Sequence, residues 1–396
     1  MVGIKKTKKE ILLSDNSNIG FHQGIVDTDP EEVGYNPERL KQLDSHLLEL
    51  IVDEKLQCAS YLLSRYGKTF ACKSVGKLNY HKNSPDFMPD SIRKIASITK
   101  IFTSMAIMKL IEDGKLYLEQ PVSTIIKEFD TDMHRLITIF HLLTHTSGLR
   151  PDPGVHCEPY PSSWWDELGD AYKNNKEINW IEKCLAGPVE AKPAEMWLYS
   201  TLGFVFLGEI VTRVSGVHCE QFIVDNITIP LEMNETFFSV PEKFHRRVCC
   251  TERWNEEILK DKSDTSKKPP RTGGGLHSTL YDLNKLGQMF LNVGEYNGRR
   301  ILCRKAIETM ITNQLSGIDT QAWGKSYKNI QMGLGINRSL SDLLTPGTYS
   351  HEGAGRCVLY IDPAESLVVS FFVPTIIEWV PESIINTKSI IWSGLT

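Results

Sequence analysis

Ser97 stands three residues before Lys100 in the segment Ser97-Ile98-Thr99-Lys100, and a long apolar stretch follows at once. In a helix, positions i and i+3 share a face, so the hydroxyl and the amine would be neighbours. A serine hydroxyl attacks a carbonyl only once a base takes its proton. A lysine becomes such a base when burial lowers its pKa, because desolvation disfavours the ammonium. The sequence predicts that burial. Ile98 to Asp113 is apolar nearly all round, with Ile101, Phe102, Met105, Ile107, Met108, Leu110 and Ile111, the pattern of a helix covered on every side. A helix start also offers free N–H groups that favour a developing oxyanion. A serine at this place would equally serve as an N-cap. The lysine one turn into a buried helix is what asks for a further reason.

Two more groups follow in suitable order. Tyr199-Ser200-Thr201 opens another apolar helical stretch, and His351-Glu352-Gly353 enters a strand. The succession of S-x-x-K, a Tyr-led triplet and a basic-x-Gly element resembles the serine β-lactamase and penicillin-binding-protein superfamily. It is most similar to the class C β-lactamases and their esterase relatives, where Tyr replaces the middle Ser and His can replace the Lys of K-T-G. Leu142-Leu-Thr-His-Thr-Ser-Gly-Leu149, Pro193-Ala-Glu-Met-Trp-Leu-Tyr-Ser200, Gly273-Gly-Gly-Leu-His-Ser-Thr279, Asn292-Val-Gly-Glu-Tyr-Asn-Gly298 and Asp362-Pro363 are similar to phrases of that group. The resemblance runs from about Glu31 to Val373.

The resemblance implies a role for each position. Ser97 would carry the acyl group, Lys100 would accept its proton or tune the network, and Tyr199 would shuttle protons as phenolate or hydrogen-bond relay. The backbone N–H groups of Ser97 and Ala354 would form the oxyanion hole. Gly353 would let the strand edge lie close to substrate. His351 would be a positive or hydrogen-bonding group near a substrate carboxylate or the Tyr199 oxygen, or else a packing residue. Thr201 stands where the family's β-lactamases carry the Asn that binds a substrate amide carbonyl. Thr is shorter and offers no amide N–H₂, which leans away from antibiotics and toward esters or other acyl substrates. Trp164, with Trp165 and Tyr160, is a candidate wall of an acyl pocket. His145 and Ser147 invite a Ser-His reading, but no acidic partner is marked and the phrase is structural in the resembling family. Met105 and Met108 read as packing.

Several elements must position these residues. Residues 1–34 read as a flexible lead-in, followed by an amphipathic helix over Pro37 to Glu54. Cys58 to Arg65 and Thr69 to Val75 form a strand pair turning at Gly67. Gly114 closes the helix after Ser97 as a left-handed residue. Further helices are expected over Pro121 to Ile126, Ile137 to Thr144, Thr201 to Val214 and Cys219 to Ile227, and from Thr279 to about Leu291 behind a capping-box-like start. Arg150 to Pro193 reads as a long irregular insertion, a lid or pocket wall, and 254–272 as an exposed loop. Gly273-Gly274-Gly275 permits a tight backbone path. Strands return at Arg356 to Ile361 and Leu367 to Val373, and a last helix covers Glu378 to Trp392. Strands at both ends and helices between them predict an α+β, β-lactamase-like fold. Residues 35–95 plus 273–396 would make the sheet domain and 96–272 a mainly helical domain.

Composition narrows the class. A net charge of −5 without a basic stripe argues against nucleic acid. No segment reaches the roughly 18 apolar residues that span a bilayer. Ile11-Leu12-Leu13 is too short for a signal-peptide core, so the protein is expected in the cytoplasm. The nine cysteines, an odd number without C-x-x-C spacing, fit buried thiols in a reducing compartment. The expected function is an esterase-like or amidase-like serine hydrolase, or an acyl transferase, acting on a small acyl substrate without metal or cofactor. The rivals are a β-lactamase or D-amino-acid-directed peptidase, and a self-assembling scaffold with a vestigial site.

Overall fold

A computed structural model describes residues 19–155, 163–174, 178–187, 189–260, 268–322, 325–338, 343–376 and 380–396. Seven antiparallel strands form the main sheet: β1 (His22–Gln23), β2 (Cys58–Arg65), β3 (Lys68–Gly76), β4 (Asn337–Arg338), β5 (Tyr349–Gly353), β6 (Cys357–Asp362) and β7 (Leu367–Phe372). Their spatial order is β1-β3-β2-β7-β6-β5-β4. The N-terminal hairpin therefore pairs with the C-terminal one, with Leu367 opposite Arg65 and Phe372 opposite Ser60.

Alternation along these strands loads both faces with apolar side chains, as expected for a sheet covered on two sides. Cys58, Leu62, Leu359, Ile361, Val368 and Phe372 face one core. Ala59, Tyr61, Leu63, Val358, Val369 and Phe371 face the other. The second core is closed by α1 (Pro37–Val52), through Leu40, Leu43, Leu47 and Leu50, and by the C-terminal helix α5 (Ile385–Trp392). The first is closed by α4 (Leu280–Leu291) and runs on without a break into the helices that follow Ser97. These are α2 (Thr99–Glu112) and α3 (Thr201–Ser215).

Local chemistry explains the element ends. Gly114 adopts φ 68° after α2, and Lys115 N–H returns to Leu110 O at 2.9 Å, a left-handed helix stop that glycine enters without Cβ strain. Thr279 caps α4 by accepting from Asp282 N–H at 3.2 Å. The expected reciprocal bond is replaced, because Asp282 accepts instead from Glu235 N–H and the Thr236 hydroxyl.

Several expectations need correction. Part of the lead-in is ordered: His22–Gln23 adds an edge strand to β3. The Pro121 to Ile126 stretch forms only one short 3₁₀ turn, Val122–Thr124, with a second, Lys127–Phe129, just after it. The expected loop at 254–272 begins as a helix, Arg253–Lys260. The last helix begins at Ile385 behind a 3₁₀ turn, Pro381–Ser383, and residues 377–379 at its expected start lie outside the described residues. The insertion at 150–193 is only partly irregular where it is described. It holds helices Trp164–Asn174 and Trp180–Leu185. Leu168, Trp180, Ile181 and Leu185 are buried in the first core.

Candidate active site

Ser97 lies in a single 3₁₀ turn, Ala96–Ile98, at the entrance to α2. Ala96 just before it has φ 44°, a left-handed conformation costly for a residue with a Cβ. The surroundings hold that turn. Ile95 N–H donates to Leu276 O at 2.9 Å, and Leu276 N–H donates to the Thr99 hydroxyl at 3.1 Å. On the other side β5 comes in close, and a Cβ at Gly353 would sit 2.2 Å from Ile95 O. Glycine at 353 is required for that approach, and it lets the end of β5, just before Ala354, lie against Ile95 and Ala96. The same turn is fastened by Arg93, whose buried guanidinium donates to Gly355 O at 2.9 Å and to Cys249 Sγ at 3.3 Å.

Lys100 is 0% exposed. Its Nζ donates to Ser97 Oγ at 3.1 Å, Thr201 Oγ1 at 3.0 Å and Gly273 O at 2.7 Å. Gly273 can deliver that carbonyl because it has no side chain: a Cβ there would meet Thr201 Cγ2 at 2.4 Å. The strap is anchored by Thr272, whose hydroxyl donates to Phe204 O at 2.8 Å. Burial pushes the lysine down to about 8, with the nearby Asp152 carboxylate opposing the shift. A lysine titrating at 8 is about one-quarter neutral at pH 7.5, against about one part in a thousand at the ordinary value. That difference makes it usable as a base.

Tyr199 sits in an extended segment fixed from both sides. Leu198 N–H donates to His145 O, and Asp152 N–H donates to Tyr199 O, each at 2.8 Å. Ser200 N–H donates to His145 Nδ1 at 3.1 Å. The His145 ring stacks between Tyr199 and Phe204, with centroids 4.3 and 5.1 Å away. Burial and the Lys100 cation push His145 well down, so it is a neutral, structural imidazole. Ser147 is buried and hydrogen-bonds Leu149 N–H, so neither residue forms a Ser-His pair with the other. The Lys100 Nζ stands 4.8 Å from the Tyr199 ring centroid. Burial raises the phenol well above its usual range, opposed by its hydrogen bond with Ser97. The tyrosine is therefore protonated at neutral pH, which suits a relay rather than a resident phenolate.

His351 is buried on β5, with its ring centroid 6.5 Å from that of Tyr199. Burial and Lys100 push it down to about 3, so the positive role expected of it does not hold. Its Nδ1 donates to Glu352 O at 2.9 Å. This leaves Nε2 as a buried acceptor without a partner among the described residues.

Thr201 does not point a spare group toward substrate. Its hydroxyl accepts from Lys100 and lies 2.5 Å from Asp152 Oδ2, and its N–H donates to Asp152 Oδ1 at 2.7 Å. Trp164 is also not at the site. It is buried in the helical core beside Leu168 and stacks edge-on with Trp165; Tyr160 lies outside the described residues. Among the described residues, a tryptophan that does flank the tyrosine is Trp197, with ring centroids 5.9 Å apart. A cleft of about 510 Å³ opens there, lined among others by Trp197, Tyr199, Ile330, Gln331, Arg338 and Glu352. Sequence reading missed Trp197 although it stands two residues before Tyr199, on the same side of an extended strand-like segment. It also missed Asp152 and Arg93, which carry no spacing signal.

Serine, buried lysine, tyrosine, glycine strap and strand edge thus converge on one point. The beta-lactamase family model matches residues 43–375 of the chain. A protein of Escherichia coli (strain K12), provisionally named a D-alanyl-D-alanine carboxypeptidase, is 23% identical over 380 residues, covering 87% of this chain and 84% of its own length. The octameric penicillin-binding protein homologue from Pyrococcus abyssi superposes with a TM-score of 0.64 at 25% identity, over 89% of this chain and 76% of that one. A family VIII carboxylesterase superposes with a TM-score of 0.70 at 17% identity, over 95% of this chain and 100% of that one.

Proposed function

This chain belongs to the beta-lactamase family, and we propose that it is an esterase-like hydrolase working through an acyl group on Ser97. The observation that carries the reading is the wholly buried Lys100 amine, 3.1 Å from Ser97 Oγ. In the first step neutral Lys100 takes the hydroxyl proton as Ser97 Oγ attacks the substrate carbonyl. The N–H groups of Ser97 and Ala354 receive the charge developing on the carbonyl oxygen. Tyr199, protonated and beside the serine, passes a proton to the leaving alcohol. A water molecule activated through the same groups, or another acceptor alcohol, then releases the acyl group. Every proton is handled by side chains, so the cycle asks for no metal or cofactor.

The engaged Thr201 hydroxyl supports esters over substrates that must be held by an amide side chain. The name of the E. coli relative favours a second reading, a D-amino-acid-directed peptidase or β-lactamase. The experiment compares wild type with S97A on p-nitrophenyl butyrate and on a chromogenic cephalosporin, with intact-mass detection of adducts. Butyrate turnover that disappears with Ser97, plus a one-acyl mass increase on wild type, is expected. Cephalosporin turnover without ester turnover would favour the second reading. Equal background rates and no adduct would favour a vestigial site on a scaffold.

A further inference from the structure

Resting on that reading, we propose that Asp152 is a positioning residue that makes Lys100 a base toward Ser97 by fixing the direction of the Thr201 hydroxyl. The argument is an inventory of hydrogens. A carbonyl oxygen only accepts, so Gly273 O takes one hydrogen of Lys100 at 2.7 Å. A carboxylate oxygen also only accepts, so the single hydrogen of the Thr201 hydroxyl goes to Asp152 Oδ2 at 2.5 Å. Thr201 Oγ1 must then accept from Lys100, which takes a second hydrogen at 3.0 Å. A neutral amine has two hydrogens and one lone pair. With two neighbours fixed as acceptors, the lone pair is left for the third, Ser97 Oγ at 3.1 Å. The polarity of the catalytic hydrogen bond is thus set from one residue further out.

Asparagine at 152 reverses the chain. Its NH₂ donates to Thr201 Oγ1, and the threonine hydrogen turns toward the amine lone pair and masks it. The carboxylate also favours the lysine cation, so its removal moves the lysine titration to lower pH. Among the described residues, the other groups facing the amine have no opposing charge to take over. His145, from the turn after the short helix Ile139–Leu143, and His351, from β5, are both held neutral, and Tyr199 is held as the phenol. From α3 come only Phe204 and Thr201, and the glycine strap adds only the Gly273 carbonyl.

The test is a pH profile of kcat/KM on p-nitrophenyl butyrate for wild type, D152N, T201V, T201S and the D152N/T201V double variant. A masked base predicts that D152N lowers the plateau by about 100-fold and moves the acidic limb to lower pH. T201S, which keeps the hydroxyl, recovers most of what T201V loses. The double variant is no slower than T201V alone, because asparagine then has no hydroxyl to turn. If Asp152 merely braced its loop through Thr201 N–H, the D152N loss would persist in the T201V background and the limb would stay put; either result overturns the proposal. The ¹³Cε titration of Lys100, assigned against K100Q, supplies a readout independent of turnover. Its midpoint falls in D152N even if wild type forms no acyl adduct, which would sink only the hydrolase reading. An unchanged midpoint refutes the Asp152 role. T201V, nearly isosteric, serves if D152N fails to fold, and an undiminished plateau there overturns the proposal.

Discussion

Gly353→Ala tests how closely the proposed oxyanion strand is fitted to the turn that carries Ser97. The new Cβ would sit 2.2 Å from Ile95 O and 3.3 Å from the Ala96 Cβ. The first contact is roughly 1 Å inside normal van der Waals separation. It meets a backbone carbonyl in a turn already strained at Ala96, so a flexible side chain cannot yield. The strand edge must retreat, taking the Ala354 N–H with it. Losing one oxyanion donor costs about 100-fold to 1,000-fold in kcat, or about 2.7–4 kcal/mol of transition-state stabilisation. The assay is kcat on p-nitrophenyl butyrate beside a circular-dichroism melt, with Gly169→Ala as control. Gly169 lies in helix Trp164–Asn174 with nothing within 4 Å of its missing Cβ. That control should gain slightly in stability and keep full activity. A folded Gly353→Ala protein with wild-type kcat would refute both the close approach and the placement of the oxyanion hole.

Other outcomes follow from the same geometry. kcat/KM should rise with pH through an apparent value of about 8, since Lys100 is pushed down to about 8 and acts as the neutral amine; a limb near 6.5 would point to a histidine instead. His145→Ala should cost roughly 3 kcal/mol in urea unfolding, from the lost ring and the stranded Ser200 N–H, and should lower activity by loosening Tyr199; unchanged stability would contradict the stacked arrangement. Trp392→Phe should cost about 1–3 kcal/mol, because its buried Nε1 donates to Asp362 Oδ2 at 2.9 Å, with kcat unaffected; a kcat loss in the folded variant would contradict the separation of that core from the site.

The fold was legible where periodicity was strong. The all-round apolar run after Ser97 and the alternating strands at both ends reported their own environments, because burial selects side chains residue by residue. The lead-in's edge strand was invisible, since two residues carry no period. The Arg150 to Pro193 stretch misled because its aromatics suggested a pocket, whereas Trp180 turns into the core against Phe206. Within the candidate site, Ser97, Lys100 and Tyr199, which the fold brings together, were singled out through spacing and resemblance. Asp152 was not, because a loop delivers it to Thr201 and no local pattern encodes that meeting. The charge state of His351 was likewise hidden, being decided by burial beside Lys100.

The pairing of β2 with β7 carries a consequence for the order of synthesis. Ser97, Lys100 and Tyr199 all leave the ribosome long before Gly353 and the partner strand of β2. Until Leu367–Phe372 arrives, the hairpin of β2 and β3 has an open edge of apolar residues, the kind of surface through which nascent chains stick to one another. Contacts of such large sequence separation also close slowly. Premature termination before β5 would therefore yield a polypeptide holding every proton-handling residue yet no oxyanion strand, and one inclined to aggregate. Expression of this chain should respond to chaperone supply and lowered temperature more than its native stability alone would suggest.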